Sequence, residues 1–315
     1  MRAVVIAAQG GPEVLEYAEH PDPVAGPGRV VVNVAASGVN YVDIYHRSGV
    51  YAVQLPSPIG SEGAGTVAAV GPGVTGFAVG DAVGWVNVLG SYAEKAVVPA
   101  DRLVPIPAGV SAELAAAALL QGLTAHYLVR STHEVKEGDR VLVHAGAGGM
   151  GLLLIQLSKM FGATVHTTVS TEEKAKLARA AGADEVHSYE DFAQALKDSV
   201  DVVYDGVGAT TFHGGLTALR PRGLMALYGA ASGPVPPQDL QILNQSGSLF
   251  LTRPSLVHYV ADRDELLWRA REIFGWIAGG QLRIDVSHRY PLAEARQAHE
   301  DLAARRTTGK LLLIP

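Results

Sequence analysis

Residues 140–170, RVLVHAGAGGMGLLLIQLSKMFGATVHTTVS, decide the fold of this chain. The short apolar run at 141–144 has the length and composition of a buried strand. The turn that follows carries three glycines in the spacing G-x-G-x-x-G: Gly146, Gly148 and Gly151. Residues 152–160 then predict a helix, and residues 164–169 are rich in β-branched side chains. The order strand, glycine turn, helix, strand predicts one βαβ unit.

The glycine turn is chemically suited to a dinucleotide. Glycine lets the backbone bend tightly and approach a pyrophosphate, and the following helix directs free N–H groups at the phosphates. The motif is far more specific between a strand and a helix than it is alone. The alternative is a turn whose glycines serve only the close packing of helix on strand. We therefore expect this unit to bind a dinucleotide cofactor.

The end of the second predicted strand bears on which dinucleotide is bound. NAD-binding units commonly carry an acidic residue there, about 20 residues past the glycines, which binds the ribose 2′-hydroxyl. In this chain Ser170 lies 24 positions after Gly146, and Lys174 follows in the first turn of the next predicted helix. A neutral hydroxyl beside a lysine favours the 2′-phosphate of NADPH. NADH stays open if Glu172 or Glu173 faces the ribose.

Composition narrows the class of protein. A length of 315 residues suggests about two domains, and a net charge of −6 argues against a nucleic-acid or anionic-membrane surface. No nucleic-acid partner and no membrane association are therefore expected. The chain has no cysteine, which excludes disulfides, cysteine nucleophiles and thiolate zinc sites. This fits a reducing compartment, and we expect a cytoplasmic location.

The order of predicted elements gives the fold class. Residues 1–110 hold short β-rich runs separated by Gly and Pro, which predicts a mostly antiparallel β domain. From residue 140 strands and helices alternate, which is typical of a parallel, doubly wound sheet. Helices are predicted at residues 112–121, 152–160, 172–181, 189–197, 212–219, 262–278 and 291–304. The tail beyond Pro254 cannot form its own core, so we expect it to return to the first domain.

These features together resemble the medium-chain dehydrogenase/reductase superfamily, and more narrowly its zinc-free NADPH:quinone oxidoreductases, the zeta-crystallin-like branch. The matching segments are GGPEVL at 10–15, GVNYVD at 38–43, YHRSGVY at 45–51, QGLTA at 121–125, HAGAGG at 144–149, YDGVG at 204–208 and TRPSL at 252–256. The resemblance implies an α/β protein with a Rossmann doubly wound parallel sheet, residues 121–255. It also implies a discontinuous GroES-like, mostly β domain, residues 1–120 and 256–315, with the active site in the cleft between the two.

The resemblance also assigns site residues. The catalytic candidates beside the nicotinamide and the substrate are Asn40, Tyr45 and Tyr51. The implied cofactor contacts are Tyr41, Tyr127, Gly146, Gly148, Gly149, Met150, Gly151, Ser170, Lys174, Tyr189, Gly229, Phe250, Leu251, Thr252 and one of Arg305 and Arg306. Relatives often carry lysine where this chain has Gln121. Relatives dimerise through the apolar strand predicted at 248–252, and an exposed strand edge invites such pairing, so a homodimer is expected.

No metal is expected at the active site. The related zinc alcohol dehydrogenases carry a cysteine at the position of Asn40 and Gly-His-Glu at the position of Gly60-Ser61-Glu62. The pairs His133-Glu134 and His299-Glu300 lack the second histidine of H-E-x-x-H. Two expected ligands are thus replaced by poor ones, and the remaining histidines do not restore the site.

The missing metal favours an acceptor that needs little activation. Without zinc the protein cannot polarise a simple ketone by Lewis acidity, whereas the conjugated ring of a quinone accepts hydride directly. We therefore expect an NADPH-dependent quinone oxidoreductase. One alternative is an enal or enone reductase on the same scaffold. Another is a non-enzymatic NADPH-binding protein, comparable to crystallin or RNA-binding relatives.

Overall fold

The computed structural model describes residues 1–315. Its strands are β1 Arg2–Ile6, β2 Glu16–Glu19, β3 Arg29–Val39, β4 Ser57–Pro58, β5 Glu62–Val70, β6 Ala82–Val86, β7 Lys95–Pro99, β8 Val104–Pro105, β9 Arg140–Val143, β10 Thr164–Thr168, β11 Glu185–His187, β12 Val200–Asp205, β13 Leu219–Leu227, β14 Phe250–Thr252, β15 Val286–Pro291 and β16 Lys310–Ile314. Its α-helices are α1 Tyr41–Ser48, α2 Ala112–Tyr127, α3 Gly149–Met160, α4 Glu172–Ala180, α5 Phe192–Ala195, α6 Phe212–Ala218, α7 Gln241–Gln245, α8 Leu256–Tyr259, α9 Arg263–Ala278 and α10 Ala295–Ala303. None of these helices combines the length and apolar character needed to cross a membrane.

The chain divides into two compact units. One consists of Met1–Leu123 and Ala261–Pro315, and the other of Thr124–Val260. The boundaries expected from the sequence, after residues 120 and 255, lie a few residues away from these.

The unit formed by Thr124–Val260 is built on a parallel sheet of six strands in the order β11-β10-β9-β12-β13-β14. Renumbered within the unit this order is 3-2-1-4-5-6, which is the doubly wound order of dinucleotide-binding domains. The predicted Rossmann sheet is therefore confirmed. The strand order reverses between β9 and β12, so the turn after β9 lies at the switch point, where such sheets bind their ligands.

The other unit is mostly β. Its larger sheet runs β15-β16-β3-β5-β6-β8, with β7 also paired to β3, and its smaller sheet runs β2-β1-β4. β16 lies antiparallel to β3, with Leu311 opposite Val39. This pairing puts the first residue of β16, Lys310, beside Asn40 at the end of β3. The C-terminal segment thus shares a sheet and a core with the N-terminal segment.

Three predicted helices differ from the structure. The helix expected at 112–121 continues to Tyr127 as α2. The helix expected at 189–197 is reduced to α5, because Ser188 Oγ accepts from Asp191 N at 3.1 Å and donates to Asp191 Oδ2 at 2.7 Å. Such local bonds compete with helix formation. The helix expected at 291–304 begins only at Ala295, since residues up to Pro291 form β15, which buries Tyr290 in the core.

Three helices were missed from the sequence: α1 and the short helices α7 and α8. α1 follows directly on β3, and its buried side chains are Asp43 and Arg47 rather than apolar residues. A buried face made of charged side chains gives no hydrophobic periodicity, so the pattern that predicts most helices is absent here. α1 carries two of the expected site tyrosines, Tyr41 and Tyr45.

Candidate functional site

The glycine turn after β9 is shaped by steric limits. A Cβ on Gly146 would lie 2.1 Å from Thr167 Oγ1, and a Cβ on Gly151 would lie 2.2 Å from the Ala145 carbonyl oxygen. Both glycines are therefore required for the turn to pack on β10 and on itself. Gly148 is the N-cap of α3, which begins at Gly149 and receives no side-chain cap. The first N–H groups of α3 thus stay available to an anion, as a pyrophosphate requires.

Ser170 and Lys174 come together after β10. Lys174 Nζ donates to Ser170 Oγ at 3.3 Å, and the Lys174 amide donates to Thr171 Oγ1 at 3.3 Å, which makes Thr171 the N-cap of α4. A hydroxyl and an ammonium group therefore lie side by side at the carboxyl end of a strand adjacent to the glycine turn. This pair of donors suits a phosphate better than it suits a bare hydroxyl.

The two nearby acidic side chains are engaged by other partners. Glu172 Oε1 accepts from Arg179 Nη1 at 2.9 Å. Hydrogen bonds from its own backbone amide and from the Thr171 hydroxyl lower the pKa of Glu173. Both carboxylates are thus held by groups of α4 and its N-cap, which weakens the alternative in which one of them binds the ribose of NADH.

Asp205 is a site-shaping residue that the sequence reasoning did not single out. It ends β12 fully buried, and its Oδ1 accepts from the amides of Val207 at 2.7 Å and Gly208 at 2.9 Å. The turn that it holds touches the end of β13, where a Cβ on Gly229 would lie 2.4 Å from the Gly206 carbonyl oxygen. The motif YDGVG was the available signal, because a carboxylate followed by two glycines is typical of a self-bonded turn.

The remaining expected cofactor residues of this unit lie on several elements. Tyr127 is buried, and its ring stacks on Tyr259 with centroids 4.1 Å apart and an interplanar angle of 4°. Tyr189 lies over His144, with ring centroids 6.4 Å apart. β14, which holds the expected residues 250–252, pairs with β13 at the end of the sheet.

The expected tyrosines of the other unit form a cluster. The ring centroids of Tyr41 and Tyr45 lie 6.4 Å apart, and those of Tyr45 and Tyr51 lie 5.3 Å apart in an edge-on arrangement. Tyr51 is 41% exposed. The structure therefore brings Tyr41, Tyr45 and Tyr51 together, next to Asn40, which is the N-cap of α1.

The two C-terminal arginines of the same unit have different partners. The guanidinium of Arg306 binds Asp301 Oδ1, with Nε at 3.0 Å and Nη2 at 2.5 Å. Arg305 instead lies beside Tyr41: burial raises the pKa of Tyr41, and the positive charge and hydrogen bond of Arg305 oppose that shift. Arg305 thus lies next to the tyrosine cluster, whereas Arg306 is held by an acidic partner.

A buried ion pair contacts the side chain of Asn40, the N-cap of α1. Lys310 Nζ donates to Glu62 Oε2 at 2.6 Å and to Asn40 Oδ1 at 2.7 Å. The other oxygen of Glu62 accepts from the Leu120 amide at 2.5 Å. Glu62 and Lys310 are both almost fully buried. Gly38 makes room for this carboxylate, since a Cβ there would lie 2.1 Å from Glu62 Oε2.

The side chain of Asn40 is fully used inside this network. Its Nδ2 donates to Glu62 Oε2 at 2.9 Å and to the Gly38 carbonyl oxygen at 3.3 Å. Its Oδ1 accepts from Lys310 and, at 3.3 Å, from Gln121 Nε2. An amide offers two donor hydrogens and two lone pairs, so a bond from Asn40 to a substrate would replace one of these.

A second buried network adjoins the first. Asp43 Oδ1 accepts from Ser61 Oγ at 2.7 Å, and Asp43 Oδ2 accepts from Tyr92 Oη at 3.1 Å. His299 Nε2 lies 3.1 Å from the same tyrosine oxygen. Burial raises the pKa of Asp43 to about 6 and lowers the pKa of His299 to about 3. His299 is therefore neutral at physiological pH.

Comparison with known proteins identifies the family. Residues 26–108 match the alcohol dehydrogenase GroES-like domain, and residues 181–313 match the zinc-binding dehydrogenase domain. A quinone oxidoreductase of Pseudomonas aeruginosa is 46% identical over 100% of this chain and 99% of its own length. This chain belongs to the quinone oxidoreductase family.

Two further members of the family add detail. The crystal structure of the Escherichia coli quinone oxidoreductase complexed with NADPH superposes with a TM-score of 0.98 at 42% identity, covering 100% of both chains. A 2-haloacrylate reductase from a Burkholderia species is 40% identical over 99% of this chain and 98% of its own length. The family thus includes proteins named for the reduction of quinones and a protein named for the reduction of 2-haloacrylate, whose carbon–carbon double bond is conjugated to its carboxylate.

The residues of this family member do not fit the catalytic zinc of the related alcohol dehydrogenases. An amide and a hydroxyl, Asn40 and Ser61, occupy the two ligand positions, and both are weak ligands for zinc. Moreover, the Lys310 ammonium already binds both Asn40 and Glu62. A second cation next to that ammonium would be repelled, so we derive no step of the reaction through a metal at this position.

We predict that Lys310→Met destabilises the protein by about 3–5 kcal/mol, because it leaves the Glu62 carboxylate buried without its partner. Lys310→Met with Glu62→Gln should recover most of this loss. The matched control is Lys95→Met, whose partner Asp22 is 55% exposed, and it should cost at most about 1 kcal/mol. Urea unfolding measures all three variants. Equal losses for Lys310→Met and Lys95→Met would contradict the buried ion pair.

The second network predicts two opposite pH dependences. As pH falls from 6.5 towards 3, the unfolded chain protonates His299 before the folded protein does, so folding stability is lost. This loss is on the order of 3 kcal/mol between pH 7 and pH 4, and His299→Gln should remove it. Asp43 acts in reverse, because the folded protein takes up its proton first between pH 6 and 3.8. Asp43→Asn should therefore steepen the acid loss in pH-dependent thermal unfolding, and parallel curves for all three proteins would refute these assignments.

Proposed function

We propose that this chain is an NADPH-dependent oxidoreductase that reduces quinones without a catalytic metal. The observation that carries the proposal is the Ser170–Lys174 pair, which lies at the carboxyl edge of the parallel sheet together with the glycine turn. Support comes from relatives at 40–46% identity over nearly the whole chain that are named quinone oxidoreductases or a 2-haloacrylate reductase. When bound, NADPH supplies a hydride to the conjugated acceptor.

The residues of the Rossmann unit bind and orient the cofactor in this proposal. The N–H groups at the start of α3, including those of Gly149 and Met150, neutralise the pyrophosphate charge. Lys174 and Ser170 hold the 2′-phosphate, and Tyr189 adds one neutral hydrogen bond. Backbone groups of Gly229 and of residues 250–252 hold the nicotinamide end, as the family resemblance implies. Arg305 is the C-terminal arginine proposed to reach a phosphate, because Asp301 holds Arg306.

The acceptor side of the site is proposed to lie at Tyr45 and Tyr51. Reduction of a quinone places negative charge on its oxygens, and donors close to them lower the barrier. The hydroxyls of Tyr45 and Tyr51 are the proposed donors, and the aromatic cluster gives a flat ring a surface to stack on. We propose that Asn40 acts as a positioning residue, since Glu62, Lys310 and Gln121 already occupy its polar atoms.

A panel of acceptors tests the proposed activity. With NADPH in fixed excess, we expect kcat/KM to be higher for 1,4-benzoquinones and 1,4-naphthoquinones than for 2-chloroacrylate or a simple enone. NADPH oxidation followed by absorbance gives the comparison. Faster turnover of 2-chloroacrylate would favour the second candidate function, which the Burkholderia relative suggests. Tight NADPH binding without oxidation by any acceptor would favour a non-enzymatic role.

Cofactor preference is tested at Lys174. A charge-assisted contact to the 2′-phosphate contributes about 1.5–3 kcal/mol, so Lys174→Ala should raise KM for NADPH roughly 10- to 150-fold and change KM for NADH little. Ser170→Asp should reverse the preference, because its carboxylate repels the phosphate and accepts from the 2′-hydroxyl of NADH. The measurement is kcat/KM for both cofactors with one quinone.

The matched control for that series is Lys176→Ala, an exposed lysine on the same helix. It should leave both cofactors unaffected. Equal weakening of NADPH and NADH by Lys174→Ala would mean that the lysine is structural and that the phosphate lies elsewhere.

We propose a cytoplasmic location, in keeping with the cysteine-free chain.

We also propose a homodimer that pairs through β14. β14 is the edge strand of the parallel sheet, and Phe250 and Leu251 are 62% and 38% exposed. An exposed apolar edge of this kind is a template for pairing with a second copy. Light scattering at micromolar concentration should give twice the chain mass, and Leu251→Lys should halve it. Val24→Lys, a control at an 84% exposed position, should remain dimeric. A monomeric parent protein would contradict the proposal.

A further inference from the structure

Three potential metal ligands converge on two neighbouring strands of the parallel sheet. His166 lies on β10, and Glu185 and His187 lie on β11, with His166 directly opposite Glu185 in the register. Because side chains two apart on a strand share a face, all three point to the same side of the sheet. None of the three is among the residues assigned to the cofactor or to the acceptor.

The ligand atoms form a nearly equilateral triangle. His166 Nδ1 lies 3.3 Å from Glu185 Oε2 and 3.4 Å from His187 Nε2, and His187 Nε2 lies 3.5 Å from Glu185 Oε2. A tetrahedral ion with metal–ligand distances of about 2.0–2.1 Å separates its ligand atoms by about 3.3–3.4 Å. Octahedral coordination at the same distances gives about 2.8–3.0 Å between neighbouring ligand atoms. The spacing therefore matches one face of a tetrahedron.

From this geometry we propose that His166, Glu185 and His187 bind one divalent transition-metal ion of the zinc type in tetrahedral coordination. Two imidazoles and a carboxylate are a donor set that such ions accept, and water supplies the fourth ligand. The side chain of Glu185 is 60% exposed, which gives the ion a path from solvent, while His166 is only 1% exposed. The buried His166 holds its ligand atom in a fixed position, and the exposed Glu185 supplies its carboxylate from the solvent side.

Charged side chains lie around the cluster, and they act on a bound cation in opposite directions. The carboxylates of Glu185 and Asp191 add negative charge near His187. One group opposes binding: Arg140 Nη2 lies 3.3 Å from His166 Nε2. When Nδ1 binds the ion, Nε2 carries the proton, so Arg140 must turn away towards solvent.

The proposed ion cross-links the edge strand β11 to its neighbour β10. β11 is a three-residue strand at the end of the sheet, and its backbone meets the segment leading to Ser170, since the Val169 amide donates to the His187 carbonyl oxygen at 3.2 Å. Cross-linking β10 and β11 through side chains opposes local opening of that edge. The role is structural, and it does not depend on which acceptor the protein reduces.

Isothermal titration calorimetry of tag-free, metal-stripped protein with zinc chloride tests the site. We expect one equivalent bound per chain and a rise in Tm. His187→Ala should abolish both, and Glu185→Gln should weaken binding by at least about tenfold, the scale seen even for outer-sphere partners. Arg140→Gln should tighten binding several-fold. His213→Ala, an exposed histidine of the same unit, should bind like the parent protein.

Cobalt(II) gives an independent reading of geometry, because tetrahedral cobalt absorbs visible light far more strongly than octahedral cobalt. The parent protein should show the intense spectrum, and His187→Ala should not. Either no stoichiometric binding at micromolar zinc, or binding that His187→Ala leaves intact, would overturn the site. These measurements do not use NADPH or an acceptor, so their failure is distinct from failure of the proposed reductase activity.

Discussion

The buried contact between the Lys310 ammonium and the Glu62 carboxylate is the constraint on which the tyrosine-bearing unit depends. It joins the first residue of the last strand to β5 and fixes Asn40 at the start of α1. A lone charge of either sign would be costly at this depth, so the two residues require one another. Because Lys310 supplies the positive charge, the buried Glu62 carboxylate is balanced by a side chain of the protein itself.

The dinucleotide-binding unit is organised by a different constraint, the common direction of its six strands. Parallel strands bring the glycine turn, the Ser170 segment and the Asp205 turn to one edge, although they are far apart in sequence. Glycines at 146, 151 and 229 are needed there because backbone and side-chain atoms already occupy the space of a Cβ. The geometry of the turns at this edge thus depends on close packing of the main chain. In our proposal the choice of cofactor depends on two side chains, Ser170 and Lys174.

Sequence alone predicted the doubly wound sheet, because strand–turn–helix units and glycine spacing are local patterns. The family was expected from a resemblance, which matching segments such as GVNYVD at 38–43 and HAGAGG at 144–149 carry. The sequence did not predict α1, whose buried face is charged, or the contact of Lys310 with Asn40, which depends on pairing between β16 and β3. It also left Arg305 and Arg306 equivalent, and they are separated only by their contacts in the fold, Arg306 with Asp301 and Arg305 with Tyr41. The triangle of His166, Glu185 and His187 likewise required the strand register, since no spacing motif links residues on adjacent strands.

We propose that hydride transfer proceeds without a metal at Asn40, Ser61 and Glu62. The most direct measurement is a single-turnover reaction of NADPH with a quinone in stopped flow, using enzyme whose metal content is known by mass spectrometry. The rate should be the same before and after metal removal, and deuterium at the transferred position should slow it. A rate that falls on metal removal and returns with added zinc, in the parent protein and in His187→Ala alike, would contradict the account.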